Sequence, residues 1–142
     1  MRNDPPDTRR RADHRLQEAA RRQRLEARLG AAERHIVRGR LRSALRQVRK
    51  LLREPPDDLA SLNRLGDLLV RCRQIERGIR LYLRIAAAHA ASGFSAKAVA
   101  LYGKVLRLDP TVDEARQRRR ALTRRHGLAP LDLDPDLASL GG

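Results

Sequence analysis

The sequence contains very few aromatic side chains. Tyr82, Phe94 and Tyr102 are the only three, and there is no tryptophan. Proteins that bind single-stranded nucleic acids commonly stack the bases on several aromatic rings. Three rings are too few for a surface of that kind, so we expect any nucleic-acid binding by this chain to use mainly the phosphate groups.

Cysteine is also scarce, because Cys72 is the only one among 142 residues. A single cysteine forms no disulfide within the chain and supplies no cysteine-based metal site. The first residues lack the apolar core of a secretory signal, and no apolar run approaches the length that spans a bilayer. We therefore expect a cytoplasmic protein with no membrane partner.

No arrangement of side chains points to catalysis. The four histidines lie far apart, without the i, i+4 pair of a zinc-binding helix. The serines lack the surroundings of a nucleophile elbow, and the glycines form no phosphate-binding cluster. Asp132, Asp134 and Asp136 alternate as in a calcium loop but lack its glycine and its distal glutamate. We predict no enzyme activity, no metal and no cofactor.

Positive charge is what the sequence has in excess. The 32 basic residues exceed the 17 acidic ones, giving a formal net charge of +15. Arginine supplies 29 of these 32, and guanidinium groups pair well with carboxylates and phosphates. The composition therefore favours acidic proteins or nucleic acids as partners. The alternative interpretation is a compositional bias toward arginine, which would give a basic surface without a ligand.

Apolar residues recur at three- and four-residue steps over most of the chain, a spacing typical of amphipathic helices. Residues 12–126 are predicted to form one helical repeat domain, whose last helix caps the array. Residues 1–11 are predicted to be a disordered basic arm, and residues 127–142 a flexible acidic tail. The predicted helices cover residues 12–37, 41–53, 59–73, 75–91, 95–108 and 112–126.

Three of these helices begin with a capping signal. Asp57 or Asp58 is predicted to cap the third helix. Ser95 is predicted to cap the fifth, with the preceding Phe94 as part of a hydrophobic staple. Thr111 begins a capping box for the sixth.

A frame of glycine, a small residue, an aliphatic or aromatic residue and proline repeats along these helices. The second copy lies 34 residues after the first, and the third a further 20 residues on. The frame is complete in the first and third copies, whereas the middle copy keeps the small residue and the aromatic. The three copies are Gly39, Ala44, Val48 and Pro56; Arg73, Gly78, Tyr82 and Ala90; and Gly93, Ala98, Tyr102 and Pro110.

These residues resemble the tetratricopeptide repeat, a 34-residue pair of antiparallel helices with small residues where the helices cross. Leu65 and Gly66 are similar to the signature of a first helix, and the resemblance covers residues 25–126. It implies an all-α fold, a short α-solenoid of about three repeats with a C-terminal capping helix. Because two copies are only 20 residues apart, the helix over 75–91 would be shared by two repeats.

The resemblance also implies a function, that of a protein-interaction adaptor or scaffold. Such repeats present a groove, lined by the first helix of each pair, to a peptide or helix of a partner protein. An acidic peptide or helix is the partner that the charge favours. The residues that would face or rim this groove are Asn63, Arg64, Asp67, Val70, Arg71, Arg80 and Arg84.

Two other functions stay open on the sequence alone. Nonspecific nucleic-acid binding would neutralise phosphates with Arg9 to Arg11, with Arg21, Arg22 and Arg24, and with the arginines of 116–125. A structural subunit of a larger assembly would keep its groove permanently occupied by one partner. Because an array of about 100 residues offers only a short groove, we expect either an adjoining protein or self-association to complete it.

Overall fold

The structure is a computed structural model, and it describes residues 5–127. Neighbouring helices pack as pairs, and no strand occurs among the residues described, so the predicted all-α, repeat-like fold is confirmed. Within the same residues, none of the helices combines the length and the apolar composition that crossing a bilayer requires. The helices are α1 (Pro6–Val37), α2 (Leu41–Arg53), α3 (Leu59–Arg71), α4 (Ile75–Ala91), α5 (Ser95–Leu108) and α6 (Asp113–His126).

The first helix begins six residues earlier than its apolar pattern predicts. Proline is accepted at the start of a helix, and Pro6 takes that position. Asp7 lies in the first turn, where the helix dipole favours negative charge, and its carboxylate is 2.7 Å from Arg11 one turn later. Residues 6–11 are therefore helical, and the prediction of a disordered arm is wrong for them. The tail predicted for 127–142 lies, from residue 128 onward, outside the described residues.

The chain divides into two compact units, one ending at Ser61 and the other beginning at Leu62, where the sequence predicted one domain. In the first unit, the second half of α1 packs against α2. Their buried residues are mostly small or branched aliphatic side chains at helical spacing: Leu25, Leu29, Ala32, Ala44, Val48 and Leu51.

The core of the second unit is built around two tyrosine rings. Tyr82 of α4 and Tyr102 of α5 are fully buried, and α6 contributes Ala115. Small residues lie beside the rings and allow the helix backbones to approach closely. The full cluster is Ile79, Tyr82, Ala86, Ala98, Tyr102, Val105 and Ala115.

Three turns between helices share one conformation, although only two of them contain glycine. The shared feature is a left-handed residue, with φ of 71° at Gly39, 63° at Arg73 and 84° at Gly93. In each turn, the residue that follows the left-handed one donates its N–H to the carbonyl of the residue five positions before it. This hydrogen bond defines a Schellman motif. These bonds run from Arg40 to His35 (2.8 Å), from Gln74 to Leu69 (2.7 Å) and from Phe94 to His89 (2.8 Å). Three positions aligned from the sequence pattern thus have the same backbone geometry.

Only one of the three predicted caps forms. The N–H of Ser61 donates to Oδ2 of Asp58 at 2.8 Å, which confirms a cap on α3 and lowers the pKa of that carboxyl. Ser95, by contrast, is the first residue of α5 and makes no capping hydrogen bond. Phe94 is itself the N-cap residue of α5 and is 54% exposed, so it does not occupy the position before the cap that the predicted staple requires.

The capping box predicted at Thr111 is also absent. Both the N–H and the hydroxyl of Thr111 donate to Oδ1 of Asp109, at 2.9 and 2.6 Å. α6 then begins at Asp113, and Glu114 pairs with Arg118 at 3.2 Å rather than reaching back to the helix start. The competing carboxylate of Asp109 therefore takes both donors of Thr111.

Candidate functional site

The fourth helix has one buried face and one charged face. Arg77, Arg80 and Arg84 follow one another at steps of three and four residues, which places them on one side of the helix, and all three are exposed. We call these three residues the α4 arginine stripe. The buried residues of the same helix are Gly78, Ile79, Leu81, Tyr82, Ile85 and Ala86.

The arginines of the stripe have no carboxylate partner among residues 5–127. Among the described carboxylates of the second unit, Asp67, Asp113 and Glu114 pair with other residues, and Glu76 forms no ion pair with the stripe. Asp113 lies 3.0 Å from Arg116, and Glu114 lies 3.2 Å from Arg118. The three guanidinium groups therefore keep their full capacity to bind an external anion.

A shallow cavity of about 310 Å³ lies at the start of α4, next to the stripe. Three arginines and one glutamate line it, so its charge is positive. Ile75 is 43% exposed and adds an apolar surface. The first turn of α4 contributes N–H groups that no side chain caps. The lining residues are Arg73, Gln74, Ile75, Glu76, Arg77 and Arg80.

The residues predicted to line a groove fall into two groups. Arg71, Arg80 and Arg84 are exposed, as a binding role requires. Asn63 and Arg64 are half-buried, and the amide oxygen of Asn63 is buried with no hydrogen-bond partner among the described residues. Asp67 and Val70 make contacts inside the unit.

Asp67 connects three helices. It accepts a hydrogen bond from the hydroxyl of Tyr82, and its carboxylate lies 2.5 Å from Nζ of Lys104. Nζ of Lys104 also lies 4.5 Å from the centre of the Tyr82 ring. Burial raises the pKa of Tyr82, and the bond to Asp67 raises it further because the carboxylate stabilises the protonated phenol. We call these three side chains the Asp67 network.

Val70 fills the space left by a glycine on the next helix. A Cβ atom at Gly78 would lie 2.7 Å from Cγ2 of Val70 and 3.3 Å from the carbonyl oxygen of Gly66. Val70 also packs against the core of the second unit. Because Asp67 and Val70 hold α3 against its neighbours, we leave both residues out of the candidate site.

Sequence reasoning missed two arginines of the site. Arg77 shares the spacing of Arg80 and Arg84, so the same pattern could have included it. Arg73 lies in the turn before α4, and its place in the cavity lining follows from the backbone geometry of that turn. We therefore define the candidate site as the α4 arginine stripe together with Arg73 and the exposed Ile75.

The comparisons with known proteins identify no relative: no family model matches the chain, and no curated protein matches it. The resemblance to tetratricopeptide repeats therefore depends on the repeated residues and turns described above. Residues 5–127 also contain no group of three histidine, cysteine, aspartate or glutamate side chains placed to hold a metal ion.

Proposed function

We propose that this protein is an interaction adaptor that binds an acidic segment of a partner protein at the α4 arginine stripe. One observation carries the proposal: three exposed guanidinium groups share one helix face, have no carboxylate partner among residues 5–127, and lie beside a cavity of the same charge. Guanidinium groups bind carboxylates through paired hydrogen bonds, and this geometry selects them over neutral groups.

The stripe is held on a rigid support, which favours binding. The opposite face of α4 is buried, and the Asp67 network joins α4 to α3 and α5. A surface that is already ordered loses little conformational entropy when a ligand binds. The resemblance to tetratricopeptide repeats supports the same function, because those repeats bind peptides or helices of other proteins.

The spacing of the stripe indicates which acidic segments would fit. Seven residues separate Arg77 from Arg84, and a helix rises 1.5 Å per residue, so the stripe is about 10 Å long. A partner helix with carboxylates at i, i+3 and i+7 matches it, and so does an extended segment of about three residues. Exposed ion pairs are individually weak, so several carboxylates have to bind together.

Affinity purification followed by a charge-reversal comparison tests the proposal. The tagged full chain is incubated with host lysate treated with nuclease, and retained proteins are identified by mass spectrometry. The purified partner is then titrated against the parent, Arg80→Glu/Arg84→Glu, and the control Arg46→Glu/Arg49→Glu on the exposed face of α2. We expect the stripe variant to bind at least about tenfold more weakly and the control to bind within about threefold of the parent.

Two results would contradict the proposal. Equal weakening by both variants would mean that general positive charge, and not the stripe, retains the partner. Retention of no protein after nuclease treatment would remove the adaptor function itself.

A further inference from the structure

The first half of α1 has no buried residue. The helix is 32 residues long, whereas α2, which packs against it, has 13. All the buried residues of α1 lie at Leu25 or beyond. Upstream of them, Leu16 is 70% exposed. We call residues 6–24 the α1 basic segment.

Positive charge predominates in this segment, which has seven arginines and three carboxylates. Arg9, Arg10, Arg15 and Arg24 are exposed and form no ion pair within residues 5–127. At 100° per residue, Arg9, Arg10 and Arg24 fall within an arc of about 100°, and Arg15 lies on the opposite side of the helix. The α4 arginine stripe differs, because its three arginines lie on one face.

Three other arginines of the segment interact within the first unit, and one of them, the exposed Arg22, lies close enough to Asp58 for the two charges to interact. Arg21 lies 2.6 Å from the carboxylate of Asp57 and donates to the carbonyl of Pro55 at 2.9 Å. Arg11 pairs with Asp7 at 2.7 Å. The contact at Asp57 holds the segment to the loop that follows α2, and Arg9, Arg10, Arg15 and Arg24 remain exposed.

The distribution of side chains excludes two kinds of partner. A coiled-coil partner needs an apolar seam at heptad spacing, yet Leu16 is the only large apolar residue of the segment. A membrane surface needs a helix with a continuous apolar face, and this segment has none. A polar helix with arginines on two opposite sides fits a partner that presents negative charge to both of them.

We infer that the α1 basic segment binds the phosphate backbone of double-stranded DNA, without selecting a base sequence. The major groove of B-form DNA is about 12 Å wide and accepts a helix of about 10–12 Å diameter. Phosphates then line both sides of the helix, where arginines on opposite faces reach them. The deep, narrow major groove of double-stranded RNA does not admit a helix. This inference is independent of the function proposed for α4, because it uses different residues and another class of partner.

Fluorescence anisotropy with the full chain tests this inference. The probe is a fluorescein-labelled 20-base-pair DNA duplex of mixed sequence, titrated at several NaCl concentrations between 50 and 200 mM. The test variant replaces Arg9, Arg10, Arg15 and Arg24 by alanine, which keeps helix propensity high. The control replaces four exposed arginines elsewhere, Arg46, Arg49, Arg120 and Arg124, so the lost charge is the same. Circular dichroism verifies that both variants keep the parent's helix content.

Each neutralised phosphate contributes about −0.9 to the slope of log affinity against log salt. We expect the slope of the test variant to be less negative than that of the parent by about three to four units. We also expect this variant to bind at least tenfold more weakly at 100 mM NaCl. The control should remain within about threefold of the parent, and a duplex of different sequence should bind equally well.

Several results would overturn the inference. They are absence of parent binding at 50 mM NaCl, equal losses in the test and control variants, or a preference above tenfold for one DNA sequence. Equal binding of an RNA duplex would contradict the insertion of the helix into the major groove. None of these results bears on the α4 arginine stripe, since the experiment contains no protein partner.

Discussion

At the scale of the residue, Gly78 shows how closely two helices approach in the second unit. Replacing it by alanine would place a Cβ atom 2.7 Å from Val70 and 3.3 Å from the backbone of Gly66. The energetic cost of overpacking is larger than what alanine gains over glycine in helix propensity. We therefore expect Gly78→Ala to lower the free energy of unfolding by roughly 1–2 kcal/mol. Urea unfolding followed by circular dichroism measures the change.

Gly103→Ala is the matched control, because Gly103 also lies inside a helix. The nearest heavy atoms to a Cβ there are the end of the Arg107 side chain at 3.6 Å and that of Arg119 at 3.9 Å, both ordinary contact distances. We expect this variant to gain about 0.5–1 kcal/mol from its higher helix propensity. If Gly78→Ala also gained stability, the close contact between α3 and α4 would be incorrect.

The sequence identified such small residues but not the role of their polar neighbours. Gly78 and Ala98 were recognised because they recur in a frame. Asp67 was assigned to a groove because it shares a helix with other groove residues. Its partners lie 15 and 37 residues away in the sequence, and only the packed positions of three helices bring them together.

At the scale of the element, the turn between α3 and α4 carries a residue that is unfavourable for its conformation. Arg73 has φ of 63°, a value that glycine adopts at the two equivalent turns. Side chains with a Cβ atom are strained in this region. We expect Arg73→Gly to raise the free energy of unfolding by about 0.5–1 kcal/mol, after allowing for the greater freedom of glycine in the unfolded chain. Urea unfolding again measures the change.

A substitution of arginine by glycine inside α4 provides the control. Arg80→Gly should lower stability by about 1 kcal/mol, because glycine is unfavourable in a helix interior. If Arg73→Gly and Arg80→Gly both lowered the free energy of unfolding, the left-handed conformation of Arg73 would be incorrect. A gain at Arg73 would instead indicate that an arginine is kept there at a cost in stability, as expected if its charge serves binding in the cavity that it lines.

Helix ends show where sequence patterns are informative at this scale. The predicted bounds of α2, α4 and α5 agree with the structure, because the apolar spacing is interrupted at each end and a glycine or a proline lies within two residues of every end except the start of α4. α1 begins earlier than predicted because Pro6 and the Asp7 to Arg11 pair stabilise its start without any apolar residue. The cap at Ser95 is absent because the N-cap position of α5 lies one residue earlier than predicted, so the N–H of Ala98 donates to the carbonyl of Phe94. The cap at Thr111 is absent because Asp109 accepts hydrogen bonds from Thr111.

At the scale of the whole molecule, the tyrosines report on one of the two units. Tyr82 and Tyr102 are the only tyrosines of the chain, and both lie in the second unit. Burial raises the pKa of each phenol, and the pKa of the Cys72 thiol shifts in the same direction for the same reason. Tyrosinate absorbance therefore follows the second unit alone.

These raised pKa values predict that the second unit loses stability in alkali. Below pH 10 both tyrosines are protonated in the folded and the unfolded chain, so the stabilisation is fully present. Above pH 10 the unfolded chain releases protons that the folded chain retains, and the free energy of unfolding falls as pH rises. Urea unfolding should therefore give a lower free energy of unfolding at pH 11 than at pH 8. In the double variant Tyr82→Phe/Tyr102→Phe, the decrease between these two pH values should be smaller. Equal losses in the two proteins, or tyrosinate absorbance that rises near pH 10 while the helices remain folded, would contradict the burial of these rings.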